Sequence, residues 1–194
     1  MQTPVTPGRR ERKKAATRQS IADAALRLFL ERGYDQVSIR DIANAADVST
    51  TTLFKHFTGK EALVFDEQAH MQASLVAAVR GRPEGLSVVE ALRDFWLAGR
   101  VTQPDGQGEL AQFTRLVEST PALRLYAERV WAQHTDILAA ALADEFGVPH
   151  DNIACASLAR FALQVPTIVR GRENPGAAVE EIFAFLADGW RDPR

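Results

Sequence analysis

A short polar stretch between residues 49 and 60 carries side chains that could bind a polyanion. Residues 50–52 are three threonines, and Lys55 and Lys60 follow them. Threonine hydroxyls can bond phosphates or base edges, the threonine methyl can contact the thymine methyl in the major groove, and lysine ammonium groups neutralise phosphates. This chemistry fits DNA, whereas a merely solvated polar helix face is the alternative that periodicity alone leaves open.

Helix start signals place this stretch on the second of two short helices. Ser38, with Asp41 three residues on, forms a variant of the capping box, and Ser49 is a second start signal. Leu53 and Phe57 lie one turn apart and can pack inward, which leaves the polar positions facing outward. The outward set comprises Thr50, Thr51, Thr52, Lys55 and His56.

Residues 46–48, between these two helices, have the composition of a tight turn. Asp47 is one of the few non-glycine residue types that tolerate a left-handed conformation, and Val48 can fill the angle between the helices. Thr58 and Glu61 then form a complete capping box, which predicts a third helix from about Lys60. Two short helices joined by a tight turn, the second displaying small polar and basic side chains, are typical of a helix-turn-helix.

The string from Ile42 to Leu63, IANAADVSTTTLFKHFTGKEAL, resembles the DNA-binding domain of the TetR family of bacterial transcription regulators. The resemblance runs from about residue 17 to 65 without gaps. Asp47 stands where the family usually has glycine, and Thr51 lies near another common glycine, so the family's base preferences are not carried over. Phe54 replaces a tyrosine whose hydroxyl reaches a phosphate in the family, so we expect that contact to be missing.

Basic residues before the first helix extend the candidate interface. Residues 1–14 are predicted to be a flexible basic arm, of the kind that contacts phosphates or the minor groove, although a solubilising tail is the alternative. Together with the helix-turn-helix this gives the predicted DNA-binding residues, which are Arg18, Ser38, Arg40, Ser49, Thr50, Thr51, Thr52, Phe54, Lys55, His56 and Lys60.

The charge distribution agrees with a chain that touches nucleic acid at one end. The formal net charge is −2, but residues 1–60 carry 11 Lys/Arg against 6 Asp/Glu, and the remaining residues carry 12 against 19. A basic head on an acidic body favours polyanion binding by the head. No apolar run has transmembrane length, and Asp23 and Arg27 interrupt the apolar run after the basic N-terminus, which argues against a signal peptide. We therefore expect a cytoplasmic protein.

Periodicity predicts an all-α fold of about nine helices. We expect a first helix from about residue 15 to 32, the two short helices, one helix from 60 to 80, and further helices at 87–100, 109–119, 121–146, after Asp151, and after Asn174. The predicted domains are a helix-turn-helix domain over 15–60 and a helical effector-binding and dimerisation domain over 61–194. In the TetR family the final helix pair forms a four-helix bundle with its twin, which implies a homodimer here. Phe185 and Leu163 lie off the main apolar stripes and are candidates for such a contact.

The middle helices carry aromatic and polar residues that could line a cavity for a small molecule. The resemblance implies such an effector site, although an aromatic residue on an amphipathic helix more often belongs to the core. No cluster of basic residues accompanies these positions, which favours an apolar or weakly polar effector. The predicted pocket residues are Phe95, Trp96, Gln112, Phe113, Trp131, His134, Phe161 and Gln164.

No enzyme signature accompanies these features. The chain has no Gly-x-Ser-x-Gly elbow, Walker loop or His-Glu-x-x-His, so we expect no catalysis, no cofactor and no metal site. Cys155, the single cysteine, is expected to be a small buried residue. Glu67 and His70 have the Glu-x-x-His spacing of helical di-iron proteins, but a single copy favours a solvated face.

The resulting prediction is a homodimeric regulator that binds a pseudo-palindromic operator, most often a repressor in this family, and that a small-molecule effector releases. The alternative from another class is a helical protein that binds a small molecule or a metal, or an enzyme, with no operator function.

Overall fold

The chain folds into α-helices joined by short turns in the computed structural model, which describes residues 8–102 and 104–189. No residue in those two ranges lies in a β-strand, which confirms the all-α prediction. The described residues form ten α-helices where about nine were predicted, and a short 3-10 helix, Arg100–Thr102. The chain divides into two compact units between Glu67 and Gln68, whereas the sequence places the domain boundary after residue 60.

The first unit contains the two short helices and the helices that hold them. Its elements are α1 (Arg9–Arg32), α2 (Ile39–Ala45), α3 (Thr50–Phe54), α4 (Lys60–Val64) and the first residues of α5 (Asp66–Arg80). α1 packs against α2 and α4, and α2 packs against α3. The centre of this packing is fully buried and apolar, with Ile21 from α1, Ile42 from α2, Leu53 from α3 and Leu63 from α4.

The first helix begins earlier than predicted. Residues 9–14, which the sequence assigns to a flexible arm, are helical, because Arg, Glu and Lys favour helix and no proline interrupts them. The carboxylate of Glu11 accepts a hydrogen bond from the Gly8 backbone N–H at 3.0 Å, which satisfies one amide at the start of the helix. Residues 1–7 of the predicted arm lie outside the described residues.

The predicted helix from residue 60 to 80 is two helices. Phe65 separates α4 from α5 with backbone angles of φ −103° and ψ 17°, and its side chain is buried. The capping box at Thr58 is also absent. α4 begins after Gly59, so Thr58 lies one residue too far from the helix to cap it.

The second unit is built from the rest of α5 and five further helices. These are α6 (Val88–Ala98), α7 (Pro104–Ser119), α8 (Pro121–Phe146), α9 (Ile153–Val169) and α10 (Pro175–Gly189). Leu75, Leu92, Leu142, Leu158 and Phe183 join one apolar core made by α5, α6, α8, α9 and α10. Cys155 is buried in that core, as expected.

Helix ends in the second unit follow local rules, with two differences from the predicted bounds. Gly147 ends α8 in the left-handed conformation, at φ 64°. α9 is capped by Asn152 and not by Asp151, because the Asn152 side-chain oxygen accepts from the amides of Ala154 and Cys155. α7 starts at Pro104, five residues before the predicted start, since proline fits the first helical position.

Candidate nucleic-acid interface

The turn between α2 and α3 adopts the geometry that its residue types predict. Asp47 has a φ of 53°, and among the described non-glycine residues it alone has a positive φ. The Val48 backbone N–H donates to the Ala43 carbonyl at 2.9 Å, which closes the turn. The left-handed residue is therefore what fixes the angle between the two short helices.

Serine caps begin both short helices. Ser38 Oγ accepts from the Asp41 N–H at 3.1 Å, and the Asp41 carboxylate accepts from the Ser38 N–H at 2.9 Å, a reciprocal capping box. These hydrogen bonds lower the pKa of Asp41. At α3, Ser49 Oγ accepts from the Thr52 N–H at 3.1 Å and lies 2.9 Å from Thr52 Oγ1. Because Ser38, Ser49 and Thr52 use their hydroxyls within the protein, their first role is to hold the helix starts.

The exposed face of α3 presents the remaining polar side chains. Thr50, Thr51 and Lys55 are exposed, and Leu53 and Phe57 pack inward on the opposite side, as predicted. Phe54 is 55% exposed, so an aromatic face without a hydroxyl lies beside these polar groups. Arg40 on α2 is also exposed. The exposed surfaces of α2 and α3 therefore present two hydroxyls, two cations and one aromatic ring.

The Lys60 ammonium group, a predicted DNA contact, points toward the interior of the first unit and contacts Tyr34. Lys60 Nζ donates to the Tyr34 carbonyl oxygen. It also lies 4.0 Å from the centroid of the Tyr34 ring and 5.6 Å from that of Phe29. Partial burial lowers the pKa of Lys60, and burial together with Glu61 raises the pKa of the Tyr34 hydroxyl. In this structure Lys60 ties α4 to the turn after α1.

Arg18, another predicted DNA contact, pairs with a residue that sequence reasoning missed. Its Nε donates to Asp66 Oδ1 at 2.7 Å, and its Nη1 donates to the His56 carbonyl at 2.5 Å. The guanidinium carbon lies 4.4 Å from the centre of the Phe57 ring. Asp66 is separated from Arg18 by 48 positions and belongs to a different helix, so no local spacing could have indicated the pair.

His56 is half-buried, although its spacing predicts that it faces outward. Its Nδ1 is buried and has no hydrogen-bond partner among the described residues. Burial, with the nearby charges of Arg18 and Lys14, lowers the pKa of His56. A neutral imidazole is therefore favoured at neutral pH, and His56 adds no cation to the exposed face.

The predicted pocket residues fall into two groups in the second unit. Trp96 and His134 are buried, and Phe95, Phe113, Trp131 and Gln164 are half-buried. Gln112 and Phe161 are exposed instead, because each lies on the outer face of its helix. The open groove between α6 and α10, of about 490 Å³, is lined by none of the eight predicted residues.

Two polar atoms in the buried group lack partners. Trp96 Nε1 and His134 Nδ1 are buried and form no hydrogen bond with any described residue. Burial lowers the pKa of His134. The His134 ring meets Trp131 edge to face at 5.9 Å, and Phe95 meets Trp96 in the same way at 5.2 Å.

The described residues offer few ligands for the metal-binding alternative. His70 is exposed, and the side chain of Glu67 lies outside the described residues. No three His, Cys, Asp or Glu side chains converge within the part of the chain that is described. None of the helices in that part is both long enough and apolar enough to cross a bilayer.

Known proteins resemble this chain in both sequence and fold. Residues 21–66 match the model of the bacterial regulatory proteins of the tetR family. The HTH-type transcriptional regulator TcmR of Streptomyces glaucescens is 34% identical over 128 residues, which are 62% of this chain and 56% of that protein. The HTH-type transcriptional repressor Rv1474c of Mycobacterium tuberculosis is 35% identical over 130 residues, which are 67% and 64%.

A solved structure shares the fold over nearly the whole chain. NalD, the secondary repressor of the MexAB-OprM multidrug efflux pump in Pseudomonas aeruginosa, superposes with a TM-score of 0.59 at 22% identity, covering 91% of this chain and 96% of that one. The aligned regions of TcmR and Rv1474c amount to less than two thirds of those proteins' lengths. The family match over residues 21–66 covers the helix-turn-helix itself. The chain belongs to the TetR family of bacterial regulatory proteins.

Proposed function

We propose that this protein is a transcriptional repressor whose α2–turn–α3 segment binds operator DNA and is released by a small-molecule effector. The observation that carries the proposal is the exposed face of α3, where Thr50 and Thr51 lie on a helix fixed by a serine cap and a left-handed turn, and Lys55 follows at its end. An exposed, rigidly held polar face is what a recognition helix needs in the major groove.

Within that face we propose different roles for the exposed groups. Lys55 and Arg40 neutralise phosphates, which contribute affinity without reading sequence. Thr50 and Thr51 contact base edges or the thymine methyl group, and they determine which operator is preferred. The exposed cations at the start of α1 add phosphate contacts.

We propose that the protein acts as a homodimer through an exposed apolar face of α9 and α10. Phe161 and Ile168 lie seven residues apart on α9, hence on one side of it, and both are exposed, as is Phe185 on α10. Leu163, a candidate for this contact on sequence grounds, is buried within the chain and cannot contribute. Two copies of α3 related by a two-fold axis would read the two halves of a pseudo-palindrome.

For the effector we propose an apolar molecule that carries hydrogen-bond acceptors. Trp96 Nε1 can only donate, so a partner for it must accept. Trp131 connects His134 to the apolar core that contains Trp96, so the unpartnered polar atoms lie in apolar surroundings. Because burial disfavours the charged form of His134, an ion pair between this imidazole and an anionic effector would have to offset that cost. Catalysis forms no part of this proposal, and the cytoplasm, where the DNA is, is the proposed location.

Selection of duplexes from a random-sequence DNA library by the wild-type protein tests the proposal. We expect enrichment of a pseudo-palindromic site, and binding to it that weakens steeply as salt rises, since phosphate contacts release counterions. Failure to enrich any duplex, or binding to the enriched duplex that does not depend on salt, would contradict DNA binding. A non-palindromic enriched site would contradict the proposed dimer alone.

A further inference from the structure

We infer that Arg18 and Asp66 are positioning residues, which hold α3 in the orientation that DNA binding requires without touching DNA themselves. This inference rests on the proposed function for its main test. It reassigns Arg18 from a phosphate contact to an internal clamp, and it gives Asp66 a role at the interface although its side chain is only 5% exposed.

The clamp joins three elements of the first unit. Arg18 lies on α1 and reaches the carboxylate of Asp66, the first residue of α5, with its Nε at 2.7 Å and its Nη2 at 2.6 Å. Its Nη1 reaches the carbonyl of His56, just after the end of α3, at 2.5 Å. One guanidinium therefore fixes the distance between the end of α3 and the start of α5.

The ring of Phe57 restricts the same guanidinium from another side. Arg18 lies over that ring at 4.4 Å, and Phe57 is itself buried. A planar guanidinium that is stacked on an aromatic ring and bonded along its edge has little freedom to swing outward. This geometry favours a structural role over a contact with a passing phosphate.

The charge around Arg18 also distinguishes a clamp from a phosphate contact. The buried carboxylate of Asp66 compensates the cation of Arg18 at contact distance, so little of that charge is left to attract a phosphate. By contrast, Lys55 at the end of α3 is exposed, and Arg27 on α1 forms an ion pair with Glu31, which is itself exposed, at 3.6 Å. If Arg18 and Asp66 form a clamp, loss of either side chain should weaken DNA binding to a similar extent. If Arg18 instead contacts a phosphate, the negative charge of Asp66 should oppose DNA binding.

The position of Asp66 gives the clamp a second consequence. α5 starts at Asp66 in the first unit and continues past the boundary with the second unit to Arg80. A shift of the start of α5 must either move Arg18, and with it the carbonyl of His56, or break hydrogen bonds that weaken steeply with distance and angle. The clamp is thus placed to make the orientation of α3 sensitive to α5.

The test compares variants by their affinity for a labelled duplex enriched by the wild-type protein. We expect Arg18→Ala, Arg18→Lys and Asp66→Asn each to weaken binding by about three- to thirtyfold, the range typical of residues that act through others. Arg18→Lys keeps the charge but loses the fork of donors, and Asp66→Asn removes a negative charge, so electrostatics alone predicts little loss from the first and a gain from the second. The double variant Arg18→Ala/Asp66→Asn should bind DNA no more weakly than the single variant with the lower affinity, since the two substitutions remove the same contact.

Matched controls come from the same helix. Arg27→Ala and Glu31→Gln disrupt an exposed ion pair on α1 with the same change of charge, and they should leave affinity within about twofold of the wild type, because exposed pairs contribute little. The dependence on salt separates the roles further. If Arg18→Ala lowers the slope of log affinity against log salt by about 0.9, the value for one phosphate, while Asp66→Asn binds as tightly as the wild type, Arg18 touches DNA and the clamp is wrong.

Hydrogen exchange tests the clamp independently of DNA. The amides of His56 and Phe57 donate to the Leu53 carbonyl at 2.9 and 3.0 Å, so their protection reports the end of α3. They should exchange at least several-fold faster in Arg18→Lys and Asp66→Asn than in the Arg27→Ala and Glu31→Gln controls. If no duplex is enriched, the proposed function fails and this measurement still decides the clamp. Unchanged protection in both variants would overturn it.

Discussion

Three cations near α3 differ in how much of their charge a bound anion can use. Lys55 is exposed, the Lys60 ammonium group is held against Tyr34, and Arg18 is paired with buried Asp66. Residue type and spacing treat the three alike, because each is a basic residue on or beside the helix-turn-helix. The tertiary partners that distinguish Lys60 and Arg18 lie 26 and 48 positions away.

Replacing Lys55 should therefore affect DNA binding, whereas replacing Lys60 should affect stability. Lys55→Ala should weaken binding to the enriched duplex and lower its salt slope by about 0.9 for each phosphate that is no longer neutralised, with unchanged stability. Lys60→Ala should lower the free energy of unfolding by about 1 kcal/mol, because it removes the cation–π interactions and the hydrogen bond. Gel shift over a range of salt concentrations and urea denaturation measure the two effects. Equal loss of affinity with no loss of stability in both variants would contradict the distinction.

Asp47 is the residue on which the angle between α2 and α3 depends. At a φ of 53°, Asp47→Gly removes the steric cost of a side chain and should leave stability within about 0.5 kcal/mol of the wild type, or raise it. Asp47→Val places a β-branched side chain in the same conformation and should cost at least about 1–2 kcal/mol. Denaturation midpoints compare the two variants. Val and Gly variants of equal stability would show that the left-handed conformation is not retained.

At the scale of helices, local signals predicted where a helix starts only when the capping side chain was adjacent to it. The caps at Ser38 and Ser49 and the left-handed turn at Asp47 were all predicted from neighbouring residues. The break at Phe65 was not, because the apolar period continues through it. Phe65 is buried within the first unit, and no local pattern contains that tertiary environment.

The contrast between Ser38 and Thr58 can be measured directly. Ser38→Ala should lower the free energy of unfolding by about 1 kcal/mol, since the Ser38 hydroxyl accepts an amide of the first turn of α2. Thr58→Ala should change it by less than about 0.5 kcal/mol, because Thr58 caps nothing in the structure and is exposed. Urea denaturation of both variants provides the comparison. A larger loss at Thr58 would mean that α4 is capped by its sequence motif after all.

For the molecule as a whole, two histidines link stability to pH. Burial lowers the pKa of His134, and burial with neighbouring charges lowers that of His56, so the unfolded chain takes up protons first. Their contribution is complete above the unfolded pKa of about 6.5 and is lost as pH falls from there through the lowered folded values.

Unfolding free energies measured between about pH 7.5 and 5 should therefore decline toward acid. His134→Leu should flatten that decline, because it removes one of the two groups. Stability that does not change over this range in the wild type would mean that the two imidazoles are protonated as readily in the folded state as in the unfolded one.

The proposed dimer gives the last prediction, which belongs to the assembly. Phe161 is 48% exposed and Phe185 73%, so Phe161→Glu and Phe185→Glu should leave the fold intact but abolish the dimer, since a charge cannot be buried cheaply in an apolar contact. Phe183, two residues from Phe185, is 2% exposed in the core, and Phe183→Glu should instead unfold the protein. Leu125→Glu supplies the matched control, because Leu125 is equally apolar and exposed but lies on α8, outside the proposed face, and this variant should stay dimeric. Sedimentation velocity at micromolar concentration separates these outcomes, with circular dichroism to follow the fold. A monomeric wild type would contradict the proposed dimer. A dimer that Leu125→Glu breaks and Phe161→Glu does not would place the contact outside α9 and α10.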